Sequence, residues 1–148
     1  MQARATDGMI AGLTGTAALT GAIAVGKLAG RMPLSAPREI GWRLHERTGL
    51  PDRPLWTLGH FGYGAACGAI YAALRPLLPG PPAAAGAAFG LGVWALSYLA
   101  LMPRLGLYPP ARWDHPGRRR VMIAGHLVYG IVLGLLTDRR ASRSPRAP

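Results

Sequence analysis

Gly59-His60-Phe61-Gly62-Tyr63-Gly64-Ala65-Ala66-Cys67-Gly68 and Gly125-His126-Leu127-Val128-Tyr129-Gly130-Ile131-Val132-Leu133-Gly134 both read GHxxYGxxxG, and each lies inside an apolar block. Upstream of each stands Met-Pro, at Met32-Pro33 and Met102-Pro103. A proline followed closely by arginine comes next, at Pro37-Arg38 and at Pro110 with Arg112. Five matched positions and a matched loop signature point to two copies of a helix, loop, helix unit.

Working outward from these motifs, the apolar residues of the 148-residue chain fall into four blocks, about 8–26, 55–78, 83–102 and 121–137. Each is close to the ~20 residues that cross ~30 Å of hydrocarbon at 1.5 Å per residue. Half of the residues are hydrophobic, yet the net charge is +11, and the charges collect between and after the blocks, as a bilayer sorts them. The expectation is an all-α membrane protein with four transmembrane helices, built as a tandem duplication with units at about 8–78 and 83–138. A unit with an even number of spans keeps its orientation when copied, so a pseudo-two-fold axis along the membrane normal is expected. Residues 139–148 lack apolar periodicity and read as a disordered basic tail. The first block is poor in leucine, and the repeat pairs it with an internal helix, so it reads as a retained span and not as a cleaved signal peptide. Pro79-Gly80-Pro81-Pro82 predicts a tight antiparallel hairpin between the second and third spans.

The basic residues argue for a lipid surface. Clustered arginine and lysine can signal nucleic acid, but here they flank apolar blocks, so anionic lipid head groups are the partner expected and nucleic acid is not. Arg38, Arg112, Arg118, Arg119 and Arg120 are the candidate head-group contacts. In the first long connection Ile40 and Leu44 lie one helical turn apart, beside Trp42 and among Arg38, Arg43 and Arg47, the pattern of a short interfacial helix. The proline-fixed stretches ending at Arg38–Glu39 and at Arg112 read as rigid interfacial loops, with paired lids as the alternative. The loops after the first and third spans hold eleven Lys and Arg against six on the other side, which places those loops in the cytoplasm.

His60, Gly64 and Gly68 are four apart and share a helix face, as do His126, Gly130 and Gly134. Small residues so spaced let helices pack closely in lipid. Thr14, Ala18, Ala22, Gly26 and Gly30 suggest the same device in the first span, Gly86 and Gly90 in the third. A bundle packed this tightly leaves little interior. The histidines, with Tyr63 and Tyr129, should face that interior, and an ionisable group inside a span invites a functional reading. Three readings stand side by side: hydrogen bonds to carbonyls released where Met-Pro breaks the preceding helix, a proton or ion path, and paired ligation of haem or a metal ion.

Other chemistries lack their residues. Cys67 is the single cysteine, so no disulfide within the chain is possible and it reads as a packing residue. His45 and His115 fall in the basic loops without zinc-site spacing. The six acids are Asp7, Glu39, Glu46, Asp52, Asp114 and Asp138. All lie outside the apolar blocks, with Asp7 reading as the cap of the first helix and Asp138 as a tail residue. No paired carboxylate, phosphate loop or GxSxG is present. No cofactor, no metal and no enzymatic activity are expected.

Lys27 followed by Pro33-Leu34-Ser35-Ala36-Pro37-Arg38, the helix around His60 and Tyr63, and the run from Gly106-Leu107-Tyr108-Pro109-Pro110 to Gly130 together resemble the YagU-like family of small bacterial inner-membrane proteins. The resemblance covers most of the chain, which is smaller than family members and has a shorter first loop. It implies an inner-membrane location and an association with acid survival, and it transfers no catalytic residue. His60 and His126 match the family pattern. The reading is thus a small, multi-pass, non-enzymatic accessory or stress-related membrane module, acting with a homo-oligomeric or membrane-protein partner. The alternatives are an oligomeric transporter or channel for protons or a small solute, and a bis-histidine haem or metal protein.

Overall fold

Long runs without an internal charge wind into helices whose ends fall where prolines and charges begin. The computed structural model describes residues 4–32 and 34–143, and all regular structure among them is helical. Helix α1 is Ala5–Leu28, α2 Ala36–Thr48, α3 Asp52–Leu74, α4 Pro82–Leu96, α5 Met102–Arg104 and α6 Pro116–Arg143. A 3-10 turn, Arg75–Leu77, closes α3, and a π-helical turn, Ser97–Leu101, joins α4 to α5 in one rod. That turn precedes Pro103, whose ring would clash with the carbonyl four residues back in a regular helix; a wider turn there relieves the clash. Three helices, Ala5–Leu28, Pro82–Arg104 and Pro116–Ser142, are long and apolar enough to cross a membrane, which makes this a membrane protein. α3 is 23 residues long, but His60, its tyrosines and its glycines dilute its apolar content.

The helix bounds lie within a few residues of those expected, except at the C-terminus. Helix α6 runs to Arg143, so residues 139–143 are helical and not a disordered tail; 144–148 fall outside the described residues. Asp138 is therefore a helix residue, and it holds Arg75 through two bonds of 2.9 and 3.0 Å. Arg4 and not Asp7 occupies the cap of α1, with Asp7 inside the first turn.

Across the bundle the order is α3, α1, α6, α4, because the extensive contacts are α1 with α3, α1 with α6, and α4 with α6. The turn through Gly80, whose φ of 86° suits glycine, joins α3 to α4, yet these two helices barely touch. The expected tight hairpin is not formed. Each helix instead finds a better partner, since backbone approach needs facing glycines. A methyl on Gly12 would strike the Gly64 carbonyl, and one on Gly68 the Gly8 carbonyl. On the other side a methyl on Gly86 would strike the Gly130 carbonyl, and one on Gly134 the Pro82 carbonyl. The packed face of α1 is thus Gly8, Gly12 and Thr16 toward α3, with Gly15 and Gly26 toward α6. Of the expected stripe, Gly26 packs against Val121 of α6, whereas Thr14 and Gly30 are exposed.

Helix α2 packs on α3 where Gly41 meets Trp56. It ends at Gly49, left-handed with φ 70°, a conformation open to glycine at little cost.

Candidate functional site: a cleft between the two outer helices

The separation of α3 from α4 leaves a cleft of about 280 Å³, backed by α1 and α6 and bordered by α2. The expectation of little interior is corrected here: glycine stripes draw helices together in pairs, and pairing α3 with α1 and α4 with α6 leaves the outer two apart. α2 contributes Ile40 and Leu44, α3 Trp56 and α4 Trp94. Among the described residues no Asp, Glu, Lys or Arg lines the cleft.

Both motif histidines and both motif tyrosines line it. His126 Nδ1 lies 2.8 Å from the Met122 carbonyl oxygen. A carbonyl only accepts, so Nδ1 carries the proton and Nε2 keeps a lone pair. Thr20 donates its hydroxyl proton to the Thr16 carbonyl at 2.8 Å. Its oxygen can then only accept from His60 Nε2, 3.1 Å away, and Nδ1 of His60 keeps the lone pair. Neither ring has a carboxylate partner, and in its neutral form each has one nitrogen available as an acceptor. Tyr129 donates to the Gly64 carbonyl at 2.9 Å, tying the second motif to the first. Tyr63 and Ser97 share a 2.9 Å hydroxyl pair that bridges α3 and α4. The partners expected for these side chains, carbonyls released at Met-Pro, are not the ones found: the proline at 103 is absorbed by the π turn, and Pro33 lies outside the described residues.

Trp94 stacks on Tyr98 at 5.2 Å and 17°, while its indole N–H is buried without a partner. The cleft does not continue to the far side, where Tyr71, Leu133 and Thr137 are fully buried.

Beside the cleft, Arg118 binds Glu39 of α2 at 2.6 Å and Asp114 at 2.6 Å from Nε. Tyr98 and Tyr108 donate to the two Asp114 oxygens at 3.0 and 3.3 Å, so their rings wall the cleft while their hydroxyls face away. Burial pushes the Tyr108 phenol well above its ordinary value, and Asp114 and Glu39 add to the rise against the opposing pull of Arg118. Arg118 is 8% exposed, which removes it from the expected head-group contacts: two carboxylates hold it in place of phosphates. Arg38, Arg112, Arg119 and Arg120 are exposed.

Sequence reasoning missed Thr20, Trp94, Ser97 and the Arg118 cluster. The four-residue spacing of Asp114 and Arg118 was a usable signal. Nothing local marks Glu39 as their third member, because it is 79 residues from Arg118. Among the described residues no group of three or more His, Cys, Asp or Glu could hold a metal ion.

A family model described as a family of unknown function, DUF6789, matches residues 2–147. That match carries no link to the YagU-like family. No curated protein and no solved structure matches the chain.

Proposed function

Since the chain belongs to the DUF6789 family, whose function is unknown, its role has to come from its own site, and we propose that it is a non-enzymatic membrane module that holds a small molecule in the cleft between α3 and α4. The observation that carries this is the convergence of both motif histidines and both motif tyrosines on one cleft of about 280 Å³, near the lower end of the roughly 300–1,000 Å³ of small-molecule sites. That size disfavours a haem. The imidazoles bond to a carbonyl and a hydroxyl, with no carboxylate to orient them as a catalytic base.

The same proposal makes α3 a fourth span and the chain a tandem duplication. Equivalent glycines support it: Gly12 on Gly64 corresponds to Gly86 on Gly130, and Gly8 on Gly68 to Pro82 on Gly134. The proposal places the chain in a bacterial inner membrane, and the excess of arginine and lysine on the α2 side supports cytoplasmic loops carrying α2 and Asp114, with anionic lipid around them. The transporter alternative meets the closed far side of the cleft, so a path would have to run between copies of the chain.

Reporter fusions at Gly80 and in the segments 29–35 and 105–115 test the architecture. Gly80 on the opposite side from the other two is the expected result; Gly80 on the side of 29–35, with 105–115 opposite, removes α3 as a span. For the site, an uncharged aryl ether should raise the melting temperature of the purified protein, and Ser97→Phe, which fills the cleft, should cancel that rise. Equal rises in both proteins would place the probe elsewhere.

A further inference from the structure

The polar atoms of the cleft that remain available define what fits it. Thr16 gives its hydroxyl proton to Gly12, Tyr129 to Gly64, and Tyr98 and Tyr108 to Asp114. The ring nitrogens left over as acceptors are Nδ1 of His60 and Nε2 of His126, and the hydroxyl proton left over as a donor is one of the Tyr63–Ser97 pair. With no Asp, Glu, Lys or Arg among the described residues on the lining, an anionic ligand finds no counter-ion there and a cation finds no carboxylate, and either would bear the cost of desolvation unrelieved.

Resting on the cleft reading above, we infer that the occupant is an uncharged, lipophilic hydroxy-aromatic compound, a phenol or hydroquinone, whose hydroxyl donates to a motif imidazole. A hydroxyl both donates and accepts, so it can meet an imidazole lone pair and the donor of the Tyr63–Ser97 pair together. A ketone or quinone only accepts, and it would leave both imidazole nitrogens unmatched. The ring is accommodated by the indoles of Trp56 and Trp94 and the phenol faces of Tyr98 and Tyr108. Because α3 and α4 scarcely touch, an apolar tail can leave the cleft between them toward the hydrocarbon.

Three probes of one shape separate the possibilities: para-hexylphenol, its methyl ether para-hexylanisole, and para-hexylbenzoate. Each is titrated against the full-length protein in zwitterionic lipid nanodiscs, reading saturable quenching of tryptophan emission, with His60→Phe and His126→Phe in parallel. The phenol should bind about tenfold more tightly than the ether, the value of one buried hydrogen bond whose loss leaves an imidazole unmatched. At least one histidine variant should lower phenol affinity to that of the ether while leaving ether affinity unchanged. Equal affinity of phenol and ether for the wild-type protein, a comparison that needs no variant, overturns the inference and leaves the cleft reading intact. Benzoate binding most tightly also overturns it, by showing that the nearby Arg118 dominates. Saturable binding of none of the three sinks the cleft reading itself.

Discussion

Gly62 and Gly64 stand one residue apart from a shared neighbour on α3 and answer opposite demands. A methyl on Gly64 would run into the Thr16 hydroxyl and toward the α1 backbone, whereas one on Gly62 meets nothing. Thr16 is 1% exposed and its hydroxyl is committed to Gly12, so it has no room to move aside. Gly64→Ala should lower stability in detergent by about 1–3 kcal/mol, the usual range for overpacking, while Gly62→Ala should cost nothing. Thermal unfolding followed by tryptophan emission distinguishes them, and equal losses would mean that α3 is rotated from the orientation described. At this scale the sequence showed which positions were small but not which were touched, because contact depends on the facing helix. The histidines show the same limit. Their four-residue spacing from Gly64 and Gly130 was legible, but the tautomers follow from Thr20 and Met122, which no motif marked.

Helix α2 was legible as an amphipathic segment, from Ile40 and Leu44 on one face and arginines on the others. What holds it was not. Glu39 reaches Arg118, which Asp114 also holds, and Arg47 donates to the carbonyls of Leu105 and Gly106 at 2.8 and 3.1 Å. Arg118→Ala leaves two carboxylates facing each other's vacated partner, a loss of about 3–5 kcal/mol for a broken buried pair. Hydrogen exchange of residues 36–48 should then accelerate more than that of α1; unchanged exchange would assign the hold on α2 to Gly41 against Trp56 alone. The Tyr108 phenol adds a pH dependence to this cluster. Its folded pKa is raised by burial, so above about 10, the ordinary tyrosine value, the unfolded chain releases a proton that the folded chain retains. The contribution is fully present below that pH and declines as pH rises toward the folded value. The melting temperature should accordingly fall on the alkaline side, and Tyr108→Phe should flatten that fall.

For the molecule as a whole, the outer pair α3 and α4 are joined by a turn, one hydroxyl pair and an edge-on contact of Tyr71 with Phe89, while the inner pair α1 and α6 connect the two halves by an extensive contact. Cutting the chain at Gly80 therefore removes almost no packing. Residues 1–79 and 80–148, co-expressed, should co-purify as a complex, and Gly26→Leu, placed against Val121 on the α1–α6 contact, should weaken their association by at least tenfold. Failure of the unsubstituted halves to associate would show that the covalent turn, and not the α1–α6 contact, joins the units.

The sequence by itself determined that this is a helical membrane protein, where its helices begin and end to within a few residues except in α6, and where its small residues stand. Those properties depend on local composition and on the 3.6-residue period, both written along the chain. The tertiary structure alone decided which glycine faced which. Pairing α1 with α3 and α4 with α6 satisfied the small-residue faces, set α3 and α4 apart, and so opened a cleft where close packing had been expected. It also turned Arg118 from the lipid surface into an internal partner of Glu39 and Asp114, because a contact across 79 residues is a property of the fold and leaves no periodic trace in the sequence.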